Sequence, residues 1–154
     1  MLTQQVFAVG ARCAAVVCVV AVGVFGSRQQ AVSSEARLAS ALNGTAWQLA
    51  QITLVGDSAR PDDGTKYTIT FGPNRRAQIR ADCNRGVASW HTGDDDELAF
   101  GAVKMTRVKC AGGSMHQRFV NDLAYVRSYT LDSAKLSLNL TRGAGSLDFT
   151  PLAK

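Results

Sequence analysis

The sequence predicts an α+β fold, a compact antiparallel β-rich domain of about eight strands with one helix, the sheet curved or rolled into an open barrel. Three observations predict it. Apolar and polar residues alternate in short runs from Trp47 to Phe149. Turn residues rich in Gly, Pro and Asp separate those runs closely, which favours meander connections. One late stretch changes its apolar period from two to three and four.

The chain before this pattern has a different character. Residues 13–26 carry no charge and follow Arg12. A cation followed by a short apolar run marks a secretory signal, and the run is shorter than the roughly 20 residues a bilayer span needs. We therefore expect residues 1–26 to be a signal peptide or, extended back to Val6, an N-terminal anchor. Neither Cys13 nor Cys18 follows a small residue, so the usual lipid anchor is not expected. Residues 27–41 are small and polar and are expected to be a flexible linker. The domain is expected over 42–154, in a periplasmic or secreted protein, with membrane contact only through residues 6–26 if these are retained.

Within the domain, Trp47 and Leu49 share one strand phase and Ile52 and Leu54 the other. That slip predicts a β-bulge near Ala50-Gln51. Tyr67, Ile69 and Phe71 alternate with polar residues, as do Ala77, Ile79 and Ala81, then Ala88 and Trp90, Leu136 to Leu140, and Leu147 and Phe149. Each run turns one face to a core and one to water. Loops are expected at Asp57–Gly64, Gly72-Pro73-Asn74, Gly93–Asp96 and Arg142–Gly145. Met115, Phe119, Leu123 and Val126 recur at helical spacing, and Ser114 with Gln117 suggests a capping box.

Composition narrows the function. Hydrophobic residues at 46% and charged residues at 19% exclude a disordered chain. Three prolines and 14 glycines exclude collagen-like or Pro-rich spacers. The net charge of +5 falls to +3 within residues 42–154, which hold 14 Lys plus Arg and 11 Asp plus Glu. Cys83 and Cys110 form an even pair in the exported part, most simply a disulfide.

The motifs Gly44-Thr45-Ala46-Trp47-Gln48-Leu49, Asp82-Cys83-Asn84-Arg85, Met105-Thr106-Arg107-Val108-Lys109-Cys110 and Phe119-Val120-Asn121-Asp122-Leu123 resemble the META domain family, which includes HslJ-like heat-shock proteins of bacterial envelopes. The resemblance covers nearly all of residues 42–150. Two positions depart from the commoner pattern. Asp82 stands where Gly precedes the first cysteine, and Val108-Lys109 replace a methionine and a small residue. The resemblance implies a small exported or lipid-anchored envelope protein, associated in some members with stress tolerance, secretion or motility. It implies no catalytic residues. Gly44, Thr45, Trp47, Asp82, Asn84, Thr106, Phe119 and Leu123 are its structural motif positions here.

Several constellations could carry chemistry. Cys83, His91, Cys110 and His116 are a zinc donor set, but their gaps match no finger spacing. The lysine and arginine flanking Val108 would favour a thiolate at Cys110, which keeps a thiol-redox reading open. Asp94-Asp95-Asp96-Glu97 lacks the spaced ligands of a calcium loop and reads as a solvated turn. Trp47 and Trp90 are expected in the core. Asn84 is expected to hold a turn through its own backbone, and Arg107 to pair with Asp82. Arg75, Arg76, Arg80, Arg85 and Arg107, with Lys104 and Lys109, form a basic band. It is the candidate binding surface for an envelope protein or an anionic envelope polymer. No nucleic-acid partner, metal or cofactor is expected. The expected function is a non-enzymatic binding or stress-tolerance role. The alternatives are an inhibitor of an envelope-attacking hydrolase and a thiol-redox protein using Cys83 and Cys110.

Overall fold

The computed structural model describes residues 41–93 and 96–153. The expected signal or anchor (1–26) and nearly all of the linker (27–41) lie outside the described residues.

Among the described residues the chain forms ten antiparallel strands, the alternating runs among them: β1 (Ala46–Leu54), β2 (Asp57–Ala59), β3 (Tyr67–Gly72), β4 (Arg76–Ala81), β5 (Asn84–Thr92), β6 (Leu98–Phe100), β7 (Lys104–Met105), β8 (Val126–Leu131), β9 (Leu136–Leu140) and β10 (Gly145–Pro151). Their order is β6-β5-β4-β3-β1-β10-β9-β8, with β2 beside β1 and β7 beside β5. The two ends approach each other: Glu97 bridges Ser128, and Tyr129 N donates to Asp96 O at 2.9 Å. The sheet is thus a nearly closed barrel, which leaves little edge for another chain to pair with.

Its interior is the set of inward residues that the alternation marks. Trp47, Ile69, Phe71, Ile79, Trp90, Leu138 and Phe149 are all buried, so both tryptophans are core residues. Phe71 meets Trp90 edge-on with ring centroids 5.2 Å apart, an arrangement favoured by the ring quadrupoles. The bulge stands where the phase slips: β1 shifts register against β10 between Leu49 and Gln51.

The helix, α1, spans His116–Leu123. It buries Phe119 and Leu123, and Phe119 packs on Tyr67 and Phe149 at 5.7 and 6.2 Å. Two sequence expectations need correction here. The Ser114–Gln117 capping box does not form. Ser114 Oγ sits by His116 instead, and the Tyr67 hydroxyl, reaching from β3, accepts Met115 N at 2.9 Å. Val126 is not helical: it begins β8, although it is buried as its spacing predicts. The Asp57–Gly64 loop is also more ordered than expected. β2 lies within it, closed onto β1 by the Val55-Gly56 turn, where Gly56 has φ 77°.

Candidate functional site

The basic band is divided by strand geometry. Strand β4 turns Ala77, Ile79 and Ala81 inwards, so Arg76, Gln78 and Arg80 face out. On β3, Thr68 and Thr70 share that outer face, paired with Arg80 and Gln78. Arg85 pairs with Arg80, Val87 with Gln78, and Lys104 of β7 with Val87. Arg76, Arg80, Arg85 and Lys104 therefore line one open groove of about 800 Å3, with Gln78 between Arg76 and Arg80 and with Thr68 and Thr70 along the β3 side. No carboxylate and no aromatic ring lines it.

Lys104 reaches this face because Gly86 lets β7 approach. A Cβ at Gly86 would stand 2.4 Å from Lys104 O and closer still to Met105 Sδ.

Arg80 and Arg85 lie directly opposite each other, and like charges so placed repel. They share an acceptor. Arg85 Nη1 donates to Asp82 O at 2.9 Å, and Arg80 Nε to the same oxygen at 3.4 Å. Arg80 Nη1 also donates to Thr65 O at 3.2 Å. Neither forms an ion pair among the described residues. Arg75 does not join them. It occupies the β3–β4 turn at φ 53°, exposed, and its carbonyl accepts Trp90 N at 2.9 Å.

Arg107 lies elsewhere too. With Val108, Lys109 and His116 it borders a separate hollow of about 470 Å3 beside α1. Its expected pairing with Asp82 does not occur. The Asp82 carbonyl, not its carboxylate, is the group in use, and it serves Arg80 and Arg85.

Behind that hollow, Cys83 and Cys110 are joined by a disulfide. Asn84 is 2% exposed and does not hold a turn through its own backbone. Its Oδ1 accepts Val108 N at 2.8 Å and Thr106 Oγ1 at 2.9 Å, and its Nδ2 donates to Val108 O at 3.0 Å and contacts Cys110 Sγ at 3.3 Å. Thr106 Oγ1 in turn accepts Arg85 N at 3.0 Å. These bonds hold the 106–110 segment to the start of β5. Asp82 forms the β4–β5 turn at φ 57°.

The other motif positions are equally local in their work. Gly44 takes φ 79°, and Thr45 Oγ1 donates to Leu42 O at 2.5 Å and accepts Trp47 Nε1 at 2.8 Å. Leu42 is fully buried.

Two further candidate sets are not assembled. His91 is exposed near the far end of β5, about 26 Å along the strand from Cys83. Both cysteines are engaged with each other, so the zinc set has no centre. The acidic turn serves the barrel seam through its backbone at Asp96 and Glu97; Asp94 and Asp95 lie outside the described residues. Sequence reasoning missed Tyr67 as the helix cap and Thr68, Thr70 and Gln78 as groove residues. The strand alternation was the signal for the last three.

The META domain family profile matches residues 40–153. The chain belongs to the META domain family. The Asp82 departure has a physical basis in this META domain: its position is left-handed, where Gly is relaxed and Asp is tolerated. The fold is similar to the solution structure of a protein from Burkholderia xenovorans, with 20% identity, a TM-score of 0.64, and coverage of 77% of this chain and 88% of that one. A second solution structure shares 19% identity, with a TM-score of 0.55 and coverage of 73% and 92%. A DUF4847 family protein from Bacteroides vulgatus shares 12%, with a TM-score of 0.53 and coverage of 73% and 96%. At these identities the likeness is one of fold. No curated protein matches.

Proposed function

We propose that this META domain is exported and acts at the cell envelope as a non-enzymatic binding protein that takes an anionic envelope component on the β3–β4–β5 face. The observation that carries this is the groove holding Arg76, Arg80, Arg85 and Lys104 with no carboxylate among its lining residues. Such a surface raises the local concentration of anions without needing a deep pocket. The uncharged run after Arg12 and the disulfide both support export to an oxidising compartment. The test is co-sedimentation of the full chain with an isolated envelope fraction at low and moderate salt. Association that salt weakens and that R76Q/R80Q/R85Q abolishes is the expected result. Retention by the triple variant, folded as judged by its melt, rejects this reading.

One observation favours a second reading, an inhibitor of an envelope-attacking hydrolase. Val108 is 57% exposed while its N–H and C=O are both held by Asn84 beside the disulfide. A rigid segment with an exposed apolar side chain binds with little ordering cost. A stable complex with such a hydrolase, lost in V108D, is its test.

A further inference from the structure

The arrangement of the cations within the groove says more about the ligand than their number does. Strand register sorts them into three rungs. Arg80 and Arg85 form the first, with Thr68 beside them. Lys104 stands on the second, in line with Val87, Gln78 and Thr70. Arg76 stands on the third, beside Gly72. Successive rungs are two residues apart, about 7 Å, so the cations extend over about 13 Å along β4. A single phosphate or carboxylate meets one rung and leaves the others unused.

The uncharged polar residues of the groove point to the rest of the ligand. Gln78 offers an amide between the charges, and Thr68 and Thr70 offer two hydroxyls along the β3 side, donors and acceptors suited to hydroxyl groups. No ring in the groove offers the stacking platform on which single-stranded nucleic acid depends. The groove is also open, which suits a chain passing along it.

We propose that the groove binds a linear acidic polysaccharide lying along β4, its carboxylates on the three cationic rungs and its hydroxyls on Thr68, Thr70 and Gln78. This rests on the anion-binding reading above and deepens it. Arg80 and Arg85 present adjacent guanidinium groups to one anionic unit, the geometry that suits planar carboxylates. Lys104 and Arg76 take the units that follow. A polymer engaging linked rungs gains avidity that separate sugars do not, since each later contact forms at high effective concentration.

The test is calorimetric titration of the full chain at low salt with galacturonate, long polygalacturonate, dextran, inorganic phosphate and single-stranded DNA. Long polygalacturonate is expected to bind about a hundredfold more tightly per uronate than the monosaccharide, and more tightly than DNA of equal charge. K104Q removes the second rung and R76Q the third. Neither side chain forms a hydrogen bond or ion pair among the described residues, so both variants are expected to melt with the wild type. Each should lower the polymer's affinity several-fold. Equal affinity per charge for phosphate, galacturonate and polymer overturns the extended ligand but leaves an anion-binding face. DNA binding as tight as the polymer, or dextran binding at all comparably, overturns the acidic glycan. Binding of none of these anions overturns both this inference and the reading beneath it.

Discussion

Asn84 holds the main chain of Val108 as a neighbouring strand would, accepting from its N–H at 2.8 Å and donating to its C=O at 3.0 Å. Val108 lies beyond β7, where the ladder with β5 has already ended. One buried carboxamide thus extends β5's reach by a further residue pair. Its position beside both sulfurs ties the same segment twice, once covalently and once by hydrogen bonds.

N84A should therefore cost about 2–3 kcal/mol, since it leaves Thr106 and both Val108 backbone groups short of partners in a partly buried place. Chemical denaturation measures this. N84D keeps the acceptor but sets a carboxylate against the Val108 carbonyl, and should not restore stability. A loss below about 0.5 kcal/mol would mean that water replaces the carboxamide and that the network is incidental.

The disulfide closes a loop of sequence separation 27. Loop-closure entropy puts its contribution at about 3.5 kcal/mol. C83A/C110A should unfold at correspondingly lower denaturant while keeping its β-rich spectrum, because the barrel core lies elsewhere. An unchanged midpoint would place the whole burden of holding residues 106–110 on Asn84.

Asp82 stands at φ 57°, a conformation that costs a non-glycine residue about 1 kcal/mol or more. D82G keeps the carbonyl that Arg80 and Arg85 use, and should raise stability by about 0.5–1 kcal/mol after the entropy of glycine is subtracted. A melting temperature that falls would show that the Asp82 side chain stabilises the turn.

Gly86 admits β7 to the edge of β5. G86A would force its methyl into Lys104 O and Met105 and push β7 away, a change worth about 2 kcal/mol or more. It should also displace Lys104 and weaken anion binding, which gives two measurements, a melt and a titration, for one substitution.

Two carboxyl groups should respond oppositely to pH. The Thr65 hydroxyl and amide hold Asp63 below its ordinary 3.8, with Lys66 and Arg80 helping less. That stability is present above 3.8 and lost as pH falls through the lower folded value. D63A should melt lower than wild type at neutral pH, with the difference shrinking in acid. Burial holds Asp122 above 3.8, against a smaller pull from Arg118. Its charged form is a cost that is absent below 3.8 and complete once pH has risen through the folded value. D122N should melt higher than wild type at neutral pH and lose that advantage in acid. Arg118 keeps Asp57 at 2.9 Å in that variant.

What the sequence determined by itself was whatever depends on near neighbours. Alternation marked the inward faces of β1, β3, β4, β9 and β10, the phase slip marked the bulge at Leu49–Gln51, and an even cysteine pair in a part expected to be exported pointed to the Cys83–Cys110 bond. The META motifs named the family. Strands of two or three residues, such as β2 and β7, were not legible, because so short a run has no period to detect. Tertiary structure alone decided the rest. Val126 satisfies a helical spacing and a strand start equally well, and only the turn after Leu123 separates them. Tyr67 caps a helix 48 residues away, and Asn84 serves a segment 24 residues away. The basic band divides because adjacent residues on a strand face opposite ways or enter a turn, which sets Arg76 in the groove and Arg75 outside it. Register then brings Lys104 beside Arg76, Arg80 and Arg85, a convergence set by pairing between distant strands rather than by local sequence.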